Sequence, residues 1–303
     1  MMNNVIMTVG REELRELFPR LPDRANKGSM GRVLCICSSY DKRGLSMCGA
    51  AYFAAMAAYR CGAGIVEVFT ARKNYEALAS CVPEAIFSLY EYEEGSEAVC
   101  ARLAEEIGKA DAVVLGCGLG KSEMSQKIVE CTLKNVRQPL LIDADGLNII
   151  SENSSLWSLL NSNQRKRTVI TPHPGEMMRL CGRSIEDILG NTVQVSSSFA
   201  LEKGIVCLLK DHNTVISDGE LVYINQSGNP GMATAGMGDI LAGIIGAMLA
   251  RVKDDSDTLR AAAVGAYLHG LAGDLAAERV GQYSLVASDL LSQISCCLKD
   301  VFG

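Results

Sequence analysis

Aromatic side chains are scarce in this 303-residue chain, at 5% with a single tryptophan, while alanine and glycine are abundant. A core built from small and aliphatic residues suits helices packed closely on a sheet. No stretch of about 18 uninterrupted apolar residues occurs, which argues against a membrane-spanning helix. Positive charge is not in excess either. The net charge is -6 and the pI about 5.3, so no basic surface argues for nucleic acid. Twelve cysteines are present, yet none forms a C-x-x-C pair. Cys35-Ile-Cys37 and Cys296-Cys297 are too close for the usual metal spacing. Most sit in apolar runs, where a free thiol behaves as a small hydrophobe, and the expected setting is reducing and intracellular. Met1 to Arg11 lacks the charged-then-apolar layout of a secretory signal, so the expectation is a soluble, cytoplasmic protein. There is no low-complexity linker, no repeat at a fixed period and no G-x-x-x-x-G-K-[ST] phosphate loop.

What is present is organised around Asn225–Asp239, where glycines 228, 231, 236 and 238 precede the apolar run Ile240–Leu249. Glycines let a backbone approach a ligand closely, and the run after them reads as a helix. A helix N-terminus offers free N–H groups and a positive dipole end, which favour an anion such as a phosphate. Asp239 stands where loop meets helix. It reads either as the N-cap or as a catalytic base beside an anion.

Upstream, residues 11–24 read as a short charged helix stopped by Pro19 and Pro22. Arg32–Cys37 reads as a strand, followed by a loop at Tyr40–Gly44, a helix over Ser46–Cys61 and a strand over Ile65–Thr70. That is a βαβ unit with parallel strands. The rhythm continues with a helix at 97–109, a strand at Asp111–Leu115 and a helix at 122–135. Strands follow at Pro139–Asp145, Thr168–Pro172 and Ile205–Lys210, then a hairpin over Thr214–Tyr223 turning at Asp218-Gly219. The last third is helical. One domain over residues 1–303 is the economical reading.

Polar and glycine-rich signals fall at the ends of these strands: Gly116–Gly120, Asp143 and Asp145, His173–Glu176, and Lys210. In an open α/β sheet the carboxyl ends of the strands form the ligand crevice. Gly116-Cys-Gly-Leu-Gly120 lacks a full dinucleotide fingerprint. His173, between two prolines, suits either ligand contact or a structural turn. His212 reads as solvated and His269 as a core or helix-contact residue. Glu176 could hold a hydrated magnesium beside phosphates or serve the first turn of a helix.

Several of these segments together resemble one family. They are Lys27–Leu34, Gly49-Ala-Ala51, Gly62-Ala-Gly64, Gly118-Leu-Gly120, Asp143-Ala-Asp145, Thr171-Pro-His-Pro-Gly-Glu176, Lys210-x-x-x-Thr214 and Gly228-Asn-Pro-Gly-Met-Ala with Gly-x-Gly-Asp239. In order from about residue 12 to 295, they resemble the NAD(P)H-hydrate dehydratases of the ribokinase-like superfamily. The resemblance implies an α/β fold, a central mostly parallel sheet with helices on both faces. It implies repair of hydrated NADH or NADPH: a nucleotide phosphorylates the added hydroxyl, and phosphate then leaves to restore the double bond. It places Asp239 as the base, and Gly236, Met237 and Gly238 as the anion hole. Ala50, Gly118, His173 and Asp239 would contact the hydrated dinucleotide. Lys210, Asp211, His212, Asn213, Thr214 and Gly238 would contact the nucleotide, with Glu176 positioning Mg2+ through water. ADP is the expected donor, with ATP the other candidate. A homotetramer and an NAD(P)H-hydrate epimerase as functional partner are implied too. Two positions depart from the pattern: Ala235 stands where the family often has the first glycine of Gly-Gly-x-Gly-Asp, and Asp211 replaces a usual glycine; Met237, a residue the family allows, offers no hydroxyl. Asp211, with Met237 second to it, leaves open a catalytically impaired nucleotide-binding relative, and the shared superfamily leaves open another small-molecule kinase.

Overall fold

Ten strands share one sheet. The computed structural model describes residues 5–18, 21, 23–40, 45–252, 254 and 257–302. The strands are β1 Val5–Thr8, β2 Arg32–Ile36, β3 Ile65–Ala71, β4 Ile86–Tyr90, β5 Ala112–Leu115, β6 Leu140–Ile142, β7 Thr168–Ile170, β8 Val206–Leu209, β9 Thr214–Ser217 and β10 Leu221–Asn225. Their spatial order is β1-β10-β9-β8-β7-β6-β5-β2-β3-β4. Only β9 runs against its neighbours, because the chain reverses between β8 and β9 and reverses again in the β9–β10 hairpin. The sheet is thus mostly parallel, as expected. Among the described residues no helix is long and apolar enough to cross a membrane.

Successive side chains on a strand point to opposite faces, so a strand covered on both sides is apolar throughout. Val33 and Cys35 of β2 enter one core while Leu34 and Ile36 enter the other. On β5, Ala112 and Val114 part from Val113 and Leu115 in the same way. Helices Cys48–Arg60, Met237–Leu249, Asp257–Val280 and Ala287–Phe302 cover the first face. Ser96–Lys109, Glu123–Asn135, Asp145–Glu152 and Thr192–Lys203 cover the second.

Several boundaries differ from the sequence reading. The opening helix is only Arg11–Leu17 and ends at Phe18. Pro19, Pro22 and the loop residues 41–44 lie outside the described residues. The strand read over 139–145 shrinks to β6, so that Asp143 follows the strand and Asp145 opens a helix. β1 and β4 were not legible, and neither was the helix Tyr75–Cys81 between β3 and β4. All four residues of β1 are exposed at the sheet edge, so no alternation marks it.

Helix Met237–Leu249 is buried from Ile240 to Leu249 and sits against Cys48–Arg60 with almost no space between the backbones. A Cβ on Gly243 would lie 2.1 Å from the Ala54 carbonyl oxygen. Alanine would gain about 1 kcal/mol of helix propensity there, but a backbone oxygen cannot step aside like a side chain. Gly243→Ala is therefore expected to destabilise the protein by about 3 kcal/mol, read from the midpoint of urea unfolding.

Candidate active site

The strand ends after β5, β6, β7 and β8 meet the N-terminus of the Met237–Leu249 helix. At the centre, Asp143 is 2% exposed. Its Oδ1 accepts hydrogen bonds from Thr171 Oγ1 and from Lys210 Nζ, both at 2.8 Å. Lys210 thus reaches across from the end of β8 to the end of β6. Its ammonium also lies 4.0 Å from Glu176 Oε2. Burial alone would lower the lysine pKa, but Asp143 and Glu176 outweigh it and hold it above its ordinary value.

A strained turn sets the position of Asp143. The Asp143 carbonyl accepts from Gly146 N–H at 3.0 Å, and between them Ala144 has φ 49° and ψ −117°. Residues with a Cβ avoid this region, and such strain concentrates at functional sites. Gly116 makes the turn possible: a Cβ there would fall 2.1 Å from the Asp143 carbonyl oxygen. Asp145 Oδ2 then accepts from Gly120 N–H at 2.7 Å, tying the glycine loop after β5 to the same turn. Gly118 in that loop presses on Ala50, whose Cβ would be 2.9 Å from a Cβ built on the glycine. Ala50 and Gly118 are therefore adjacent and buried.

Asp239 is not the N-cap. That position belongs to Gly236, with φ 92° and no side-chain capping bond, and Asp239 is the third helical residue. The N–H groups of Met237, Gly238 and Asp239 precede the first intrahelical bond, from Ile240 N–H to Gly236 O. They are the free donors of this helix end. The Met237 side chain is 5% exposed and packs into the core, so a hydroxyl at this position would be buried away from the crevice. A Cβ on Gly238 would lie 3.6 Å from both Asp143 Oδ2 and Lys210 Nζ, which places Gly238 directly over that ion pair. Burial first, then the Asp143 charge, push the Asp239 carboxyl up to about 6; the Cys117 thiol and Lys210 oppose them. A group titrating there exchanges protons near neutrality, as a general base must.

His173 and Glu176 close a capping box at the Pro174–Cys181 helix. His173 Nδ1 accepts from Gly175 N–H at 3.0 Å and Glu176 N–H at 3.4 Å, while Glu176 Oε2 accepts from His173 N–H at 2.9 Å. Burial, aided by Lys210, lowers the imidazole pKa, so the ring is neutral with its proton on Nε2. The structural readings of both residues hold; His173 Nε2 lies 3.5 Å from Glu176 Oε1, and Glu176 Oε2 is the atom that reaches to 4.0 Å from Lys210. Beyond β8, the Asp211 carbonyl accepts from Thr214 Oγ1 at 3.1 Å, and Asn213 Nδ2 lies 2.8 Å from His212 Nε2. The His212 side chain is 81% exposed, as the solvated reading expects. His269 packs near the Met237 backbone, and burial lowers its pKa to about 4.

Among the described residues, no group of three His, Cys, Asp or Glu side chains forms a ready metal cage. The donor chemistry fits a different mode of binding. Three carboxylates (Asp143, Glu176 and Asp239) share one ammonium, and burial raises the pKa of both Glu176 and Asp239. A hydrated divalent cation held mainly by ligand phosphates would relieve that excess of negative charge. The cluster therefore gathers Asp239, Gly236 to Gly238, Lys210, Glu176 and His173. Ala50 with Gly118 stand to one side, and Asp211 to Thr214 to the other. Sequence reasoning missed that Asp143 and Thr171 anchor Lys210. The available signal was an acid at the end of a short apolar strand.

Comparison with known proteins bears on this site. The sequence profile described as NAD(P)H-hydrate dehydratase matches residues 43–296. A bifunctional NAD(P)H-hydrate repair enzyme of Moorella thermoacetica is 37% identical over 95% of this chain and 53% of its own length. The chain thus spans about half the length of the curated bifunctional relatives it matches. An ADP-dependent (S)-NAD(P)H-hydrate dehydratase of Streptococcus thermophilus is 34% identical, covering 90% of this chain and 92% of that one. Among solved structures, the ADP/ATP-dependent NAD(P)H-hydrate dehydratase of Bacillus subtilis, co-crystallised with ATP/Mg2+, superposes with a TM-score of 0.79 at 25% identity, over 99% of this chain and 100% of its own. The fold is ribokinase-like, as in a superfamily protein of Enterococcus faecalis. With the profile matched over most of its length and a similar relative aligned nearly end to end, the chain belongs to the NAD(P)H-hydrate dehydratase family.

Proposed function

We propose that this chain is an ADP-dependent (S)-NAD(P)H-hydrate dehydratase, a hydro-lyase repairing hydrated NADH and NADPH. One observation carries the chemistry: a carboxyl with its pKa raised to about 6 stands in the first turn of a helix whose free N–H groups overlie a buried Lys210–Asp143 pair. Base, anion cradle and cation are thus adjacent. Asp239 takes the proton from the added hydroxyl as its oxygen attacks the terminal phosphorus of ADP, and AMP leaves. The N–H groups of Met237, Gly238 and Asp239 hold the transferring phosphoryl group, whose charge grows in the transition state. Inorganic phosphate then departs from the ring carbon, a ring proton is lost, and the double bond is restored. Lys210 steers the donor phosphates, the Asp211–Thr214 loop holds the rest of the nucleotide, and Ala50, Gly118 and His173 line the dinucleotide. Glu176, with Asp143 behind it, would hold hydrated magnesium. When bound there, it would supply positive charge against the charge of the phosphates.

The reading extends to a single cytoplasmic domain assembled as a homotetramer, with a second repair activity, an NAD(P)H-hydrate epimerase, working beside it. Relatives named bifunctional repair enzymes support that pairing.

Asp239→Asn is expected to lower kcat by about 10²- to 10⁴-fold in an assay following the return of reduced-nicotinamide absorbance. In the wild type, kcat/KM rises with pH through about 6, because the base works deprotonated. Stability moves the other way. A carboxyl pKa higher in the folded than in the unfolded chain means that folding binds a proton between about pH 4 and 6. Charged Asp239 thus destabilises the fold above pH 6. The asparagine variant gains up to about 3 kcal/mol at pH 8 by urea titration and nothing at pH 4. A variant equally stable and equally active would overturn the assignment.

Lys210→Met leaves Asp143 buried without its cation. The expected loss is about 3–5 kcal/mol of stability, part of which returns in the Lys210→Met/Asp143→Asn double variant. Stability is read by urea titration of both variants. Nucleotide affinity, measured by calorimetric titration of ADP, should not return with it.

A further inference from the structure

A cavity lies outside this cluster. It occupies about 580 Å³ at the carboxyl ends of β3 and β4, within the range of small-molecule sites. Tyr40, Tyr75, Tyr90 and Tyr92 line it, although aromatic residues are only 5% of the chain. Arg72 and Lys73 stand at the same wall. Lys73 Nζ lies 4.2 Å from the centre of the Tyr40 ring, and Arg72 pairs with Glu91 at 2.6 Å. The Tyr90 hydroxyl is buried and makes no hydrogen bond within the protein. It is sealed beneath the cavity wall, where the Tyr90 ring meets Tyr92 edge-on at 5.9 Å.

The sheet order relates this cavity to the reacting centre. Along the carboxyl edge the Asp211–Thr214 loop lies at β8 and β9, the Asp143–Asp239 cluster at β6 and β5, Ala50 and Gly118 between β5 and β2, and the cavity at β3 and β4. A phosphoryl donor at β8 and β9 leaves only the opposite side of Asp239 for the acceptor. From β5 to β4 is three strand spacings, roughly 14 Å, too far for the nicotinamide half to fill alone. Hydrogen bonds tie together the wall between them. The Ser38 side chain accepts from Ala51 N–H and donates to the Met47 carbonyl, while its own carbonyl accepts from Asn74 at 2.7 Å. Two residues on, Tyr40 N–H donates to the Tyr92 hydroxyl at 3.2 Å.

We infer that this tyrosine-lined cavity binds the adenosine half of the hydrated dinucleotide, an inference that rests on the dehydratase reading above. The exposed Tyr75 ring offers a face for the adenine. The carboxylates of Glu76 and Glu91 meet ribose hydroxyls, and Lys73 faces the pyrophosphate.

The test compares wild type with Tyr75→Ala, a surface change that the fold tolerates. The KM for hydrated NADH is expected to rise about tenfold, a loss of about 1.4 kcal/mol, with the KM for ADP within twofold of wild type. Hydrated reduced nicotinamide mononucleotide, which lacks the adenosine, should lose less than twofold in kcat/KM. An unchanged KM for hydrated NADH overturns the assignment. A parallel rise in the KM for ADP overturns it too, and gives the cavity to the donor nucleotide. Calorimetric titration of NADH with ADP saturating its own site reads the cavity without turnover. Weaker binding by the variant supports the inference even if the repair reaction is absent, and equal affinity rejects it.

Discussion

The bond between Lys210 and Asp143 is the constraint on which the site depends. It joins the end of β8 to the end of β6 across β7, and β7's own continuation contributes Thr171 to the same carboxylate oxygen. Buried charges are held only when paired and hydrogen-bonded, so this contact sets where three strand ends can lie relative to one another. Gly238 rests over the pair, and a longer side chain would intrude on it. The helix N-terminus, Asp239 and the capping box at His173 and Glu176 all take their positions around it.

Strain and charge are concentrated in the same few residues. Ala144 occupies a backbone region that favours glycine, the carboxyls of Asp239 and Glu176 are harder to ionise than usual, and three helices begin nearby with their N–H groups unpaired or capped. Each feature costs stability, and the two packed cores above and below the sheet offset it. A site that must receive phosphates gains from the arrangement. Free donors and one ammonium attract the anion, while surplus carboxylate is left for a metal-bound nucleotide or a proton to satisfy.

Much of this was legible in the sequence. The strands β2, β3, β5, β7 and β8 are short apolar runs bounded by polar or glycine residues, because burial on both faces demands it. Asp239 stood out through the glycines before it and the apolar run after it. Its place in the helix did not, since a cap and a third residue differ by the φ of Gly236 alone. β1 and β4 lie at the two edges of the sheet. The exposed β1 shows no alternation to mark it, and β4 has a polar Ser88 at its centre.

By itself the sequence determined the fold class, the position of the glycine-rich helix start and the family, because apolar periodicity and ordered motifs are local properties of the chain. Only the tertiary structure decided which distant groups meet. Asp143 and Lys210 are 67 residues apart, and their contact follows from strand order, which no local pattern encodes. The raised pKa of Asp239 is decided the same way, since burial and neighbouring charge exist only once the chain has folded.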